Sequence, residues 1–174
     1  MTVLDLIAAK RYLNITGSDH DDTLNGIIAA AEAAIAERCG PLEPTEITAR
    51  VDHLGGDVAL SPTPAISLTT VTPDGGSAIS LTGVYVDAGS GVVTGVSAGT
   101  YTIVYQAGRV TCPPDLLLAV KELVRHLWES QRGGNKRPGS TVSDATSNTI
   151  PGAAYLFPFR VTQLIAPHIQ FGFA

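Results

Sequence analysis

Apolar positions recur at helical spacing in several stretches and alternate in one. The cleanest helical pattern runs from Pro114 to Arg132, where Leu116, Val120, Leu123 and Leu127 form a stripe that Leu117, Val124 and Trp128 widen. Lys121, Glu122, Arg125, His126 and Glu129 take the other face. Pro113 and Pro114 suit the start of this helix, because a first-turn proline lacks only an N–H that would be unpaired anyway. Gly133-Gly134 stop it. A second helix, Asp19–Cys39, buries Leu24, Ile27, Ile28, Ala31, Ala34 and Ile35 and ends at Gly40-Pro41. The run Ser18-Asp19-His20-Asp21-Asp22 caps it and places acids at the positive end of its dipole. A short helix over residues 3–14 carries a modest stripe of Leu4, Ile7, Ala8, Arg11 and Tyr12, with Gly17 as its stop.

From Pro44 to Gly108 the period changes to two. The pattern predicts strands at Ile47–Val51, Asp57–Leu60, Ile66–Val71, Ile79–Leu81, Val84–Val86 and Val92–Thr94. The strongest is Gly99–Tyr105, β-branched and aromatic with turn signals at both ends. Short strands with frequent turns, such as Pro73-Asp74-Gly75-Gly76, predict a small antiparallel sandwich or barrel-like sheet. Residues 133–150 have no apolar periodicity and read as a loop. After Pro158, Phe159–Ala166 can form a short helix with Val161, Leu164 and Ile165 on one side. The fold class that follows is α+β: a small helical bundle core (1–43 and 110–134), a β-rich antiparallel insertion (44–109), and a loop with an extended C-terminal arm (135–174). Together they make a single domain over 1–174.

Composition narrows the function. Apolar residues make up 44% of the 174, so the chain has the means to bury a core. Charged residues are only 16%, which suits a protein partly covered by neighbours. The net charge is −5, and an acidic chain does not grip nucleic acid by its phosphates, because that affinity comes from Lys and Arg. It is compatible with DNA passing by without sticking. Cys39 and Cys112 have no metal-ligand spacing and read as reduced, packed thiols. The opening run MTVLDLIAAKRYL does not read as a secretion signal, since it lacks a basic start and Asp5 interrupts it. No stretch reaches the ~18 apolar residues that a membrane span needs.

Candidate chemistry is thin. Gly95-Val96-Ser97-Ala98-Gly99 spells GxSxG, but a nucleophile elbow needs a helix after it, and TYTIVY is a strand. His20, His53, His126 and His168 are scattered, without HExxH spacing, and there is no phosphate-cradling GxxxxGK[ST]. The reading is no enzyme, with no catalytic residue, cofactor or metal site. What remains is interaction chemistry. The tail His168–Ala174 carries no formal charge and ends in two phenylalanines, so Phe157, Phe159, Ile169, Phe171 and Phe173 are candidates to dock on a partner. Arg125, Glu129, Arg132, Lys136 and Arg137 are candidates for a subunit seam or a channel wall. Leu116, Val120, Leu123, Leu127 and Trp128 are the expected core of the main helix.

Four features in order carry a resemblance. They are the N-terminal helix followed by the acid-capped Asp19–Cys39; the insertion with Pro64-Ala65-Ile66-Ser67-Leu68-Thr69-Thr70-Val71 and Val86-Asp87-Ala88-Gly89-Ser90-Gly91-Val92-Val93; the strand Gly99–Tyr105 running through Gly108 into Pro113-Pro114-Asp115-Leu116; and Leu156-Phe157-Pro158 ahead of a short helix and Ala166-Pro167. In this order the chain resembles the head–tail connector, or adaptor, proteins of tailed bacteriophages, also found in gene transfer agents. The resemblance implies a homo-oligomeric ring, usually dodecameric, beneath the portal protein. DNA passes through the middle without sequence-specific binding, and stopper or tail proteins attach below. It implies a place in the virion neck after assembly in the bacterial host cytoplasm, with no membrane partner. The alternatives are a stopper or tail-completion protein of the same region, or a non-viral β-containing binding module.

Overall fold

A computed structural model describes residues 2–53, 55–131 and 157–170. The described residues form four α-helices and two three-stranded antiparallel sheets, so the chain is α+β. Two compact units emerge. A helical unit takes Thr2–Ala33 and Pro113–Pro167, and a β unit takes Ala34–Cys112 with His168–Ala174.

In the helical unit, α1 spans Leu6–Leu13. Asp5 is its N-cap, with the carboxylate accepting from Ala8 N–H at 2.6 Å. The helix ends at Asn14, which adopts the left-handed conformation, so Gly17 is not its stop. The expected stripe is also corrected. Ala9 is buried, whereas Ile7 is 64% exposed and Arg11 is exposed. An eight-residue helix offers only two turns, too few for the pattern to fix which side packs.

Helix α2 spans Asp21–Cys39, with Asp21 and Asp22 in its first turn. Leu24, Ile27, Ile28, Ala31 and Ile35 are buried and Ala34 is half-buried. Lys10 of α1 reaches Asp21 at 2.6 Å, and Leu4 N–H donates to the Glu32 carboxylate at 2.8 Å. Helix α3 spans Pro114–Gln131 and buries Leu116, Ala119, Val120, Leu123, Val124 and Trp128. Leu117 and Leu127 are half-buried at the margins of that stripe. Helix α4, Phe159–Ile165, buries Val161 and Ile165 and is followed by a 3-10 turn, Ala166–His168. It packs against α3.

The β unit is built on β6, Gly99–Ala107. It lies between β1, Thr45–His53, and β3, Ala65–Pro73, antiparallel to both. A second sheet orders β2 (Val58–Ala59), β5 (Val92–Thr94) and β4 (Tyr85–Val86). Tyr101, Ile103, Tyr105 and Ala107 alternate inward from β6 and share one core with Val58, Leu60, Val71 and Val93. Ile103, wholly buried, contributes about 1.5–3 kcal/mol by leaving water. Burial raises the pKa of the Tyr105 phenol above its ordinary value, and its O–H donates to Pro62 C=O at 3.2 Å. The expected strand at Ile79–Leu81 does not form. Among the described residues its one ladder-like bond is Ile79 N–H to Val71 C=O at 2.9 Å, and a single bond does not make a strand.

Two substitutions test this packing. Trp128→Ala empties a buried site and should lower unfolding free energy in urea by about 3–5 kcal/mol. Gly26→Ala sits in an exposed helix interior with open space around the added Cβ, and should raise it by about 0.5–1 kcal/mol.

Candidate functional site

The polar face of α3 is already engaged. Arg125 Nε donates to Glu129 Oε1 at 2.9 Å, four residues along the same helix. That hydrogen bond, with the nearby carboxylate charge, raises the pKa of the exposed arginine further. Both side chains are more than half exposed, so the pair contributes only about 0.3–0.5 kcal/mol. Its larger consequence is that two candidate seam charges neutralise one another. Arg132, Lys136 and Arg137, the other three, lie outside the described residues.

Beside this pair, Glu122 joins three helices. Its side chain is 16% exposed, and Arg160 of α4 lies 3.5 Å from it. Tyr12 of α1 also hydrogen-bonds Glu122, and burial, followed by that bond, raises the phenol's pKa. His126, one turn on, has a buried Nε2 with no hydrogen-bond partner among the described residues. His20 packs edge-on against Trp128, with ring centroids 5.4 Å apart. The His20–Trp128 pairing was not legible in the spacing, although His20 precedes a helix start, where a ring can turn back onto a neighbour. Among the described residues, no group of three or more His, Cys, Asp or Glu is placed to hold a metal ion. The GxSxG stretch is the turn between β5 and β6, with a strand and not a helix after it.

The candidate arm divides. Phe157 is half-buried, Phe159 is 77% exposed at the start of α4, and Ile169 is 37% exposed. Phe171 and Phe173 lie outside the described residues. The residue that the pattern missed is Gln170. Its backbone N–H donates to Arg38 C=O at 2.9 Å and its Nε2 to Cys39 C=O at 3.1 Å, while its Oε1 accepts from Thr63 N–H at 3.1 Å. Arg109 adds its guanidinium, with both Nη atoms 3.1 Å from Cys39 C=O and Nη1 3.2 Å from Pro41 C=O. These groups cap the C-terminus of α2, whose last carbonyls have no partner within the helix, and the Arg109 cation suits the negative end of its dipole. Gly40, at φ +76°, completes the junction. A Cβ there would stand 1.9 Å from Thr63 O and 2.0 Å from Gln170 Nε2. The arm is therefore tied to the β unit at residue 170.

The sequence profile described as head completion protein matches residues 2–168. Among solved structures, the chain is similar to one from the neck of an empty gene transfer agent (GTA) particle computed with C6 symmetry. Identity is 18%, coverage 99% of this chain and 92% of that one, and the TM-score 0.69. It is also similar to a chain from the virion of a native gene transfer agent particle, at 19% identity, 99% and 92% coverage and TM-score 0.64. A third, from the neck of a native GTA particle computed with C12 symmetry, shares 17% identity over 100% and 95% of the two chains, with TM-score 0.64. No curated protein matches the chain significantly.

Gln170→Ala removes two side-chain hydrogen bonds and leaves Thr63 N–H unmatched. It should cost about 1–3 kcal/mol in urea unfolding.

Proposed function

The chain belongs to the head completion protein family, and from that premise we propose that it is a head-to-tail adaptor. Copies form a ring, with twelve the expected number, under the portal protein, extend the DNA channel, and join the capsid to the stopper or tail. It is a structural protein and not an enzyme. The observation that carries the adaptor reading is a family match over nearly the whole chain, together with the same fold in necks computed with C6 and C12 symmetry. A ring closes by heterologous contacts, one patch meeting a different patch on the next copy.

The charge supports this. Between Ala34 and Cys112 there are seven acidic residues, three arginines and no lysine. Arg109 is bound to carbonyls and Arg50 is paired with Asp74 at 2.8 Å. A ring of such units gives DNA phosphates nothing to displace counterions with, and like charge keeps the polymer moving. In this reading Phe157, Phe159, Ile169, Phe171 and Phe173 dock on the portal. Arg125, Glu129, Arg132, Lys136 and Arg137 lie at the subunit seam or the channel wall, and the mixed charge of the Lys121, Glu122, Arg125, His126 and Glu129 face favours the seam slightly.

Attachment of the purified chain to heads that carry portal but lack it tests the proposal. The expected result is saturable binding that depends on the portal. Phe159→Ser, at an exposed position, should weaken it about tenfold or more while leaving thermal unfolding unchanged. Attachment only to heads that already carry another neck ring would make the chain a stopper. Full attachment of Phe159→Ser would remove Phe159 from the docking arm.

A further inference from the structure

An edge strand leaves backbone groups unpaired along one side, so it marks where another strand can join. The order β1-β6-β3 leaves two such edges. The outer edge of β3 is partly occupied by its own chain: Ala65 N–H donates to Ala88 C=O at 3.0 Å, and Val71 C=O accepts from Ile79 N–H at 2.9 Å. Its ladder to β6 is also irregular, with register shifts at Ala65/Ser67 and Leu68/Thr70. Strand β1 differs on both counts. It pairs with β6 through nine consecutive residues, Thr45↔Ala107 to His53↔Gly99, without a shift. Among the described residues no backbone hydrogen bond reaches its outer side. It contains no proline to blunt it.

The register identifies the outward groups. Gly108 N–H donates to Pro64 C=O, and Thr100 C=O accepts from Asp74 N–H, so even-numbered residues of β6 direct their backbone toward β3. Odd-numbered residues then face β1, where their partners are Thr45, Ile47, Ala49, Val51 and His53. It follows that Glu46, Thr48, Arg50 and Asp52 aim N–H and C=O at the open side. The side chains alternate with the same period. Ile47, Ala49 and Val51 are only half-buried against the core, while Glu46, Thr48, Arg50 and Asp52 are exposed. Arg50 is neutralised by Asp74, which leaves Glu46 and Asp52 as the acidic groups of this edge.

We propose that the outer edge of β1 is a strand-addition site for an extended segment of another polypeptide. The segment fitting it alternates β-branched apolar residues, which extend the row of Ile47, Ala49 and Val51, with Lys or Arg directed at Glu46 and Asp52. The open backbone groups fix affinity and register, and the alternation fixes which face of the segment is apolar. The source of the partner, a neighbouring neck protein, and the exclusion of a second copy rest on the adaptor reading; the open edge and its chemistry do not. A second copy is not the occupant: β1 against β1 is a twofold contact between like patches, whereas a ring needs unlike ones, and the edge of β3 is partly occupied.

Amide hydrogen exchange on the full chain, with a synthetic peptide Lys-Val-Thr-Val-Lys-Val-Thr-Val-Lys, tests this. In the free chain the amides of Glu46, Thr48, Arg50 and Asp52 should exchange fast and those of Ile47, Ala49 and Val51 slowly. Saturating peptide should slow the outward set by about tenfold or more, and a peptide of the same composition with its valines clustered should not. Thr48→Pro removes one outward N–H, leaves the inner ladder whole, and should abolish the effect. As a second variant with surface changes only, Glu46→Lys with Asp52→Lys should transfer preference to a peptide bearing Glu in place of Lys. No slowing with either peptide overturns the proposal. So does concentration-dependent protection of the outward amides in the free chain, which would place a second copy on the edge. Attachment to heads is read separately, so failure here leaves the adaptor reading intact.

Discussion

The carbonyl groups at the C-terminal end of α2 are the constraint on which the β unit depends. A helix end leaves its last carbonyls without partners, and a buried one left unpaired costs about 1–3 kcal/mol. Here Arg38, Cys39 and Pro41 are met by donors from distant parts of the chain: Gln170, beyond the last helix, and Arg109, just after β6. Glycine fits between them at residue 40, since its backbone angle is one that side chains rarely adopt and the space around it excludes a Cβ. Gly108 N–H on Pro64 C=O and Gln170 on Thr63 N–H tie in the segment that leads to β3. One polar junction thus holds the start of β3, the end of β6 and the segment at Gln170.

Elements with sustained periodicity were legible in the sequence. Helix α3 repeats its apolar stripe over five turns, and β6 alternates buried side chains from Tyr101 to Ala107 between glycine signals, so each pattern selects one conformation and one face. Ile7 was misplaced because a two-turn helix has several faces of similar polarity, and the tertiary neighbours choose among them. Ile79 and Leu81 alternate locally, but a strand also needs a ladder partner, which composition does not supply. The Gln170 junction was invisible for another reason. Its contacts span 107 and 131 residues of sequence, and glutamine has no pattern that distinguishes a clasp from surface. Arg125 and Glu129 were read as charges for assembly, although their four-residue spacing on one helix face already suits the pair they form.

The molecule carries its function in surfaces. The family is one of head completion proteins, and the fold is shared with chains of gene transfer agent necks. What the residues add is a division of charge. The β unit has few cations, and its arginines 50 and 109 are held by Asp74 and by carbonyls, so its acids dominate its exterior. Most lysines and arginines fall in the sequence of the helical unit, where Lys10, Arg125 and Arg160 are paired with carboxylates. On the proposed reading, such a chain stands beside DNA without holding it and meets other proteins through apolar side chains such as Phe159 and through an open strand edge.

The most direct measurement is an electron cryomicroscopy reconstruction of a particle containing this chain, computed without imposed symmetry. The adaptor reading predicts one closed ring of copies immediately below the portal, encircling the DNA path, with the C-terminal arms reaching the portal. Copies elsewhere on the particle, or a neck in which the chain is not arranged as a ring around the channel, would contradict it.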